Sequence, residues 1–343
     1  MNKPKKLIRT ALVGFGLSGR AFHAPNIAAD DRFSLDVIVT GNPERAAAAA
    51  QLYPQARIVP TRGEMFAMAA DLDLMVVATP PYTHVGFATD GIAHGLHVAV
   101  DKPFVVNSAE GSQLIEQATA AGVLLTVFQS QRWDEDFLSL QQMISDGHFG
   151  EVHTFESRFE RWSPQCRNHP EKQATVAGSE GLFFDLGTRV VEQAKELFGP
   201  VKKVSADDTR HSLAARWDND DDTYVALEHA SGVRSRLWMN RTGPRFRVLG
   251  SESTYTQWGL DGQQPALAAG VLPEGSEPGT DEDATWGRLG PFGDLQSAAD
   301  TGGSTPDFYR MLADSLLDGG PVPVDPAGPL EVLRIMESIR ASA

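Results

Sequence analysis

Cysteine is nearly absent from this chain: Cys166 stands alone among 343 residues. One thiol closes no intrachain disulfide, which excludes a disulfide-stapled secreted scaffold and fits a cytoplasmic setting. Cys166 lies in the polar stretch Ser163-Pro164-Gln165-Cys166-Arg167-Asn168, which shows neither the base nor the lowered pKa a nucleophile needs. Long apolar runs are missing too. None reaches the roughly 18 residues that span a bilayer, so no membrane segment is expected. The start, Met1-Asn2-Lys3-Pro4-Lys5-Lys6, is basic, but Arg9 breaks the apolar run behind it, and no export signal is expected. Positive charge is scarce. Thirty Lys and Arg face 45 Asp and Glu, a formal net charge of −15. Such a surface repels phosphate backbones and excludes nucleic acid as a partner.

The length exceeds that of a typical single domain and suggests two. In the first part, strand and helix signals alternate. Strands are expected at Leu7 to Gly14, Phe33 to Thr40, Leu72 to Thr79, Gly95 to Lys102 and Val123 to Phe128. Helices fit between them at Gly19 to Asp30, Pro43 to Gln51, His84 to His94 and Ser108 to Ala121. Asn42-Pro43-Glu44 and Asn107-Ser108-Ala109-Glu110 supply helix caps. This rhythm predicts a mostly parallel sheet covered on both faces, over residues 1–128.

From residue 129 to 343 the pattern changes. A helix is expected at Asp134 to Asp146. Longer alternating strands follow at Val152 to Arg161, Thr223 to His229, Val233 to Asn240 and Phe246 to Gly250. A helix, Gly181 to Phe198, sits among them, and two more close the chain at Pro306 to Leu317 and Pro329 to Ala341. Turns such as Ala230-Ser231-Gly232 argue for an α+β domain with a large, mainly antiparallel sheet. Pro265 to Pro291 is rich in Gly, Pro and acid and reads as a surface excursion.

The motif with the clearest chemistry is Gly14-Phe15-Gly16-Leu17-Ser18-Gly19, between the first strand and the first helix. Gly14 permits a tight turn, Gly16 lets the backbone approach a pyrophosphate, and Gly19 lets the helix pack on the strand. Phosphates then sit at a positive helix N-terminus. This is the arrangement of a Rossmann domain that holds a nicotinamide dinucleotide. An acid that grips the ribose 2′-hydroxyl belongs about 20 residues further on. The second strand runs instead into Thr40-Gly41-Asn42, with Glu44 in a helix first turn and Arg45 beside it. Arg45 could meet a 2′-phosphate, so the reading tilts to NADP over NAD.

Two segments end strands at the carboxyl edge, where ligands bind in open α/β sheets: Thr79-Pro80-Pro81-Tyr82-Thr83-His84 and Asp101-Lys102-Pro103. Lys102 directly ends an apolar strand, unlike a solvated surface lysine. His84 serves equally as a ligand group or as a packing group. Asp185, Thr188 and Arg189 share one helix face. Arg132, Trp133, Arg158, Arg161 and Trp162 are candidates for a substrate pocket, with Arg161 on the opposite strand face from Arg158 and Trp162. The run Asp218-Asn219-Asp220-Asp221-Asp222 lacks the glycine and terminal glutamate of a calcium loop and reads as a solvated turn; no metal is expected.

The glycine turn, the Thr79 to His84 stretch, Asp101-Lys102-Pro103, Gln131-Arg132-Trp133-Asp134 and Asp185-Leu186-Gly187 occur in order at suitable spacings. Together they resemble the glucose–fructose oxidoreductase / inositol dehydrogenase / rhizopine catabolism (Gfo/Idh/MocA) family over nearly the full length. The resemblance implies an NAD(P)-dependent oxidoreductase that moves a hydride between nicotinamide and a sugar, inositol or related polyol. It implies cofactor contacts from Gly14, Phe15, Gly16, Leu17, Ser18, Gly19, Thr40, Arg45, Thr79, Pro80, His84, Asp101 and Lys102. Lys102, Asp185 and Arg189 take the catalytic positions, and Lys102, Arg132, Trp162, Asp185 and Arg189 the substrate positions. The family tripeptide is usually Glu-Lys-Pro, and Asp101 replaces its glutamate. A catalytic histidine often follows the family aspartate by four residues; Arg189 stands there instead. Arginine cannot shuttle a proton, so Lys102 is left as the acid/base, and Arg189 is suited to a carboxylate or an alkoxide. A homodimer or homotetramer is expected. Two alternatives stay open: a non-catalytic dinucleotide-binding sensor on the same fold, and a redox-assisted glycosidase.

Overall fold

The first strand, β1 (Ile8–Val13), is almost wholly buried, as a central parallel strand covered on both faces must be. It belongs to a computed structural model that describes residues 7–159, 182–209, 222–239, 244–259, 263–270, 287–291, 293–298 and 304–342. Five further strands join it: β2 (Phe33–Val39), β3 (Arg57–Val59), β4 (Leu74–Val77), β5 (His97–Asp101) and β6 (Leu125–Phe128). All are parallel, in the order β3-β2-β1-β4-β5-β6. Leu12, Ile38, Val76, Val98, Val100 and Val127 are fully buried along them. The strand order reverses between β1 and β4, and there a doubly wound sheet opens a crevice at its carboxyl ends.

The helices of this unit are α1 (Ala24–Ala29), α2 (Pro43–Leu52), α3 (Arg62–Phe66), α4 (His84–Ala93) and α5 (Ser108–Ala121). The two expected caps form. Asn42 Oδ1 accepts from the Arg45 amide at 2.9 Å, with Pro43 at the first helical position. Asn107 accepts from Ala109 and Glu110, and Gly122 ends α5 in the left-handed region at φ 66°. The helix expected over Gly19 to Asp30 is interrupted. Residues Gly19–His23 form a π-helical turn that hands over to α1 at Ala24, whose N–H reaches the Gly19 carbonyl. Pro25 lacks the N–H that would continue the α-pattern, which accounts for the break.

The second unit is built on an eight-stranded sheet: β7 (Val152–Phe159), β8 (Val201–Thr209), β9 (Asp222–His229), β10 (Arg234–Met239), β11 (Phe246–Gly250), β12 (Thr254–Gln257), β13 (Arg288–Gly290) and β14 (Gln296–Ser297). Its order is β14-β13-β12-β11-β7-β10-β9-β8. Every pair is antiparallel except β10 with β7. Helix α6 (Glu135–Ser145) precedes the sheet, and α7 (Leu182–Phe198) buries Leu186, Val190, Val191 and Ala194. The excursion expected over Pro265 to Pro291 carries order at both ends. Pro265 lies in α8 (Gln263–Ala268) and Arg288 to Gly290 in β13, while 271–286 fall outside the described residues.

Two compact units divide the chain, but not at one cut. The first gathers the described residues of Met1–Ser130, Gly262–Glu274 and Ser304–Leu330; the second holds the rest. The return is held by α9 (Pro306–Asp318), whose Phe308 packs edge-on against Phe128 at 4.9 Å. Just beyond it, the Val324 carbonyl accepts from Thr126 Oγ1 at 2.8 Å. The last helix, α10 (Ala327–Ser342), starts two residues before the expected Pro329. No helix among the described residues is long and apolar enough to cross a membrane.

His229, at the end of β9, is fully buried. Its Nδ1–H donates to the Gly199 carbonyl at 3.0 Å, which leaves Nε2 to accept from the Ser235 hydroxyl at 2.7 Å. Burial holds its pKa below the ordinary histidine value, against the pull of that carbonyl. The unfolded chain takes up a proton as pH falls through about 6.5, and the buried ring does not. This site's contribution to stability is therefore intact above that pH and is lost below it. Urea unfolding at about pH 8 and pH 5.5 should show His229→Gln losing less stability on acidification than the parent chain. Equal losses would refute the assignment.

Candidate active site

At the carboxyl end of β1 the chain must turn sharply, and three glycines make that possible. Gly14 has φ 98°, and a Cβ there would lie 2.4 Å from the Ala78 carbonyl oxygen at the end of β4. A Cβ on Gly19 would lie 2.0 Å from the Gly14 carbonyl oxygen. Both positions thus exclude a side chain, one by backbone conformation and contact and the other by contact alone. Gly16 differs. A Cβ there would meet only the Arg45 guanidinium, at 3.8 Å. The space over the turn is open, with a cation at its margin and the N-terminal end of a helical run over residues 17–29 behind it. That cradle fits a pyrophosphate. Phe15 points inward, buried and edge-on to Tyr53 at 6.2 Å, so the turn offers its backbone alone at this position. Leu17 is 60% exposed. Thr40 is buried, with its amide donating to the Val59 carbonyl at 2.9 Å.

The tripeptide Asp101-Lys102-Pro103 ends β5, one strand beyond β4. The Asp101 carboxylate accepts from the Ser18 hydroxyl of the glycine turn at 2.5 Å and from its neighbour's amide, Lys102 N–H, at 2.7 Å. Burial would raise its pKa; the His23 ring, the Ser18 hydroxyl and the Lys102 charge outweigh burial and hold it below the usual carboxylate range. The Lys102–Pro103 peptide is cis. Through its own amide and the Asp101 carboxylate, the motif lysine is tied to the glycine turn.

His84 opens α4 and is fully buried. Nε2 lies 2.8 Å from the Thr79 carbonyl and Nδ1 lies 3.0 Å from the Pro103 carbonyl. Burial lowers its pKa, against Asp101 and those two carbonyls. Both ring nitrogens thus face backbone, and His84 sits between the Thr79 and Pro103 loops. Thr79 Oγ1 accepts from Thr83 Oγ1 at 2.7 Å, and Pro80 is exposed beside it.

In the second unit, Asp185 and Arg189 lie on α7 one turn apart. Only the backbone of Asp185 is described. The Arg189 guanidinium lies 5.1 Å from the Phe159 ring, and Arg245 lies 5.4 Å from the same ring. Arg132, expected at the substrate, is committed elsewhere. Its Nε donates to Glu192, and its Nη2 pairs with Glu196 at 3.3 Å. Glu192 is buried, and burial raises its pKa against the pull of Arg132. Removing the guanidinium would strand a buried carboxylate, so Arg132 reads as part of the α7 packing. Arg158 stacks on Trp238 at 3.9 Å and pairs with Glu156 at 3.3 Å. Trp133 is buried. Arg161, Trp162, Cys166 and Asp218 to Asp221 lie outside the described residues.

Three residues at these sites escape the sequence reading. Arg245 is buried, donating to Gln193 at 3.0 Å and facing Asp136 at 3.4 Å. His23 and Tyr309 meet at 2.6 Å across 286 residues. His23 follows Gly19 by four residues and so shares its helical face, a usable hint. Nothing local marks Tyr309 or Arg245.

Residues 8–129 match the oxidoreductase family with an NAD-binding Rossmann fold (GFO_IDH_MocA), and residues 137–256 match the GFO/IDH/MocA C-terminal domain. The scyllo-inositol 2-dehydrogenase (NADP(+)) IolW of Bacillus subtilis is 30% identical over 98% of this chain and 94% of its own length. The D-apiose dehydrogenase of Paraburkholderia graminis is 26% identical over 75% of this chain and 67% of its own. Among solved structures, yvaA of Bacillus subtilis in its triclinic form superposes with a TM-score of 0.90 at 29% identity, covering 99% of this chain and 97% of that one. With both halves matched in order, and with the turn and the lysine tripeptide joined by a hydrogen bond, the chain belongs to the Gfo/Idh/MocA family of NAD-binding oxidoreductases.

Proposed function

We propose that this chain is an NAD(P)-dependent dehydrogenase or reductase of a sugar, inositol or related polyol, with Lys102 as its acid/base and NADP as its preferred cofactor. The observation that carries the reading is the Asp101 carboxylate, which joins Ser18 of the glycine turn to the backbone of Lys102. Such a bond keeps the lysine in fixed relation to whatever the turn holds. The open space over Gly16, the helical run behind it and Arg45 at its margin support dinucleotide binding there. The names of IolW and D-apiose dehydrogenase support a polyol or sugar substrate.

When bound, the nicotinamide supplies the hydride acceptor or donor. The chain's own task is the proton. Oxidation of a CH–OH group releases its hydroxyl proton, and the Lys102 amine takes it up; in the reverse direction the ammonium returns it. Arg189 stays charged at any working pH and so orients or stabilises oxygen, but does not carry the proton. Asp185, one turn away on α7, takes a substrate hydroxyl in this reading. A guanidinium in the histidine position also favours substrates that carry a carboxylate, and uronic acids belong in any substrate panel. Arg132 drops out of the substrate set because of its bonds to Glu192 and Glu196. The same Arg189 favours a competing reading, a dinucleotide-binding regulator without turnover.

Lys102→Ala should lower kcat by about 100-fold or more while dinucleotide affinity stays within about threefold. Steady-state kinetics with fluorescence titration checks this, and near-normal turnover refutes it. A panel of sugars, polyols and uronic acids that gives no cofactor reduction, despite tight dinucleotide binding, would favour the regulator.

Cofactor choice is tested separately. β2 ends without an acid, and Arg45 sits over the turn on α2. The kcat/KM should favour NADP over NAD, and Arg45→Ala should lower it about tenfold for NADP and leave NAD nearly unchanged. A strong preference of the parent chain for NAD would sink this part.

A further inference from the structure

His23 is a fully buried histidine outside the motifs that define the family reading, and its surroundings are specific. Its ring lies 4.4 Å from Phe128, the β6 partner of Asp101 in the sheet, and stands edge-on to Tyr309 at 6.2 Å. Nδ1 and the Tyr309 hydroxyl are 2.6 Å apart. Burial, and then the Asp101 charge, push the Tyr309 phenol well above its ordinary pKa, so it keeps its proton and can donate it. With Nδ1 as acceptor, the ring proton sits on Nε2. Nε2 is buried, has no hydrogen-bond partner, and faces Asp101 Oδ2 at 3.7 Å. The opposite tautomer would turn a lone pair toward a carboxylate, which electrostatics disfavours. An N–H aimed at an anion from that distance needs a shift of roughly 1 Å to become a hydrogen bond.

We infer that Tyr309 and His23 form a positioning dyad beneath the glycine turn, holding the Asp101 carboxylate so that it grips Ser18 and Lys102 together. The inference rests on the dinucleotide-binding reading above. The Tyr309 hydroxyl fixes the ring tautomer, the ring presents Nε2–H to Asp101, and Asp101 orients Ser18 Oγ in the turn. Neither residue touches the reacting atoms. Their effect passes through Asp101 to the turn, so it appears first in dinucleotide affinity. It also explains why α9 returns to the first unit so late in the chain: it delivers Tyr309 to the back of the phosphate turn.

The test titrates the purified full chain with reduced NADP by fluorescence and records a thermal melt for each variant. Tyr309→Phe should weaken binding about tenfold, the lower end of what losing an outer partner costs at metal-ligating residues. His23→Phe should weaken it at least as much. His23→Gln returns an N–H toward Asp101 and should stay within about threefold of the parent; a role in packing alone would predict no such rescue. Joining Tyr309→Phe to His23→Phe should add nothing further, because both act through one contact. If His23→Phe does not fold, Tyr309→Phe decides, with tenfold weaker binding supporting the dyad and unchanged binding overturning it. Affinities within twofold of the parent for both single variants, or a Gln variant as weak as the Phe variant, overturn the dyad alone. A parent chain that binds neither reduced NADP nor reduced NAD overturns the dinucleotide reading, and the dyad with it.

Discussion

The Asp101 carboxylate is the group on which this site depends. It lies at the end of a buried strand, with its side chain 16% exposed. A carboxylate placed there stays ionised only if its lone pairs are engaged. Ser18 and the Lys102 amide engage them, and His23 faces the remaining side. A charge that needs donors on several sides fixes the segments that supply those donors. Through Ser18 and the Lys102 amide it ties the glycine turn to the lysine tripeptide, and the π-helical turn faces it through His23. Changing Asp101 would disturb all three at once.

The glycines serve the same end by another route. Gly14 and Gly19 press the turn against its own backbone and against the end of β4, leaving no room for a methyl group. Gly16 keeps its outer side open. The turn is thus closely packed on one side and open on the other. The second unit follows a different rule. Its cations, Arg132, Arg158 and Arg245, are held by carboxylates, amides and aromatic faces. Charge alone is therefore a poor guide to substrate contact there. Arg189 differs in its place on α7, one turn beyond Asp185 and near the Phe159 ring.

Position in the sheets accounts for much of which strands the sequence pattern finds, although β6, at one edge of the first sheet, reads plainly through its apolar run. β1, β2, β4, β5 and β6 read plainly, as do β7, β9, β10 and β11, because burial on one or both faces imposes an apolar pattern. β3, β8, β12, β13 and β14 all lie at or toward a sheet edge. β8, Val201-Lys202-Lys203-Val204-Ser205-Ala206-Asp207-Asp208-Thr209, carries charge along its length, as edge strands do to discourage pairing with other chains. Charge of that kind erases the signal that would reveal the strand. Likewise a boundary at residue 128 follows from local rhythm, whereas the return of 304–330 is a long-range packing event with no local mark.

By itself, the sequence determined the alternation of strands and helices that builds a parallel sheet, the glycine turn, the two asparagine caps, the lysine at the end of β5 and the absence of an acid after β2. Each is local, written in a few consecutive residues whose backbone preferences or burial pattern allow one reading. The tertiary structure alone decided that His84 faces two backbone carbonyls, that Arg132 is spent on Glu192, and that Tyr309 meets His23 behind the turn. Those facts depend on which side chains share a buried volume. Residues hundreds of positions apart acquire that relation only when the chain closes on itself.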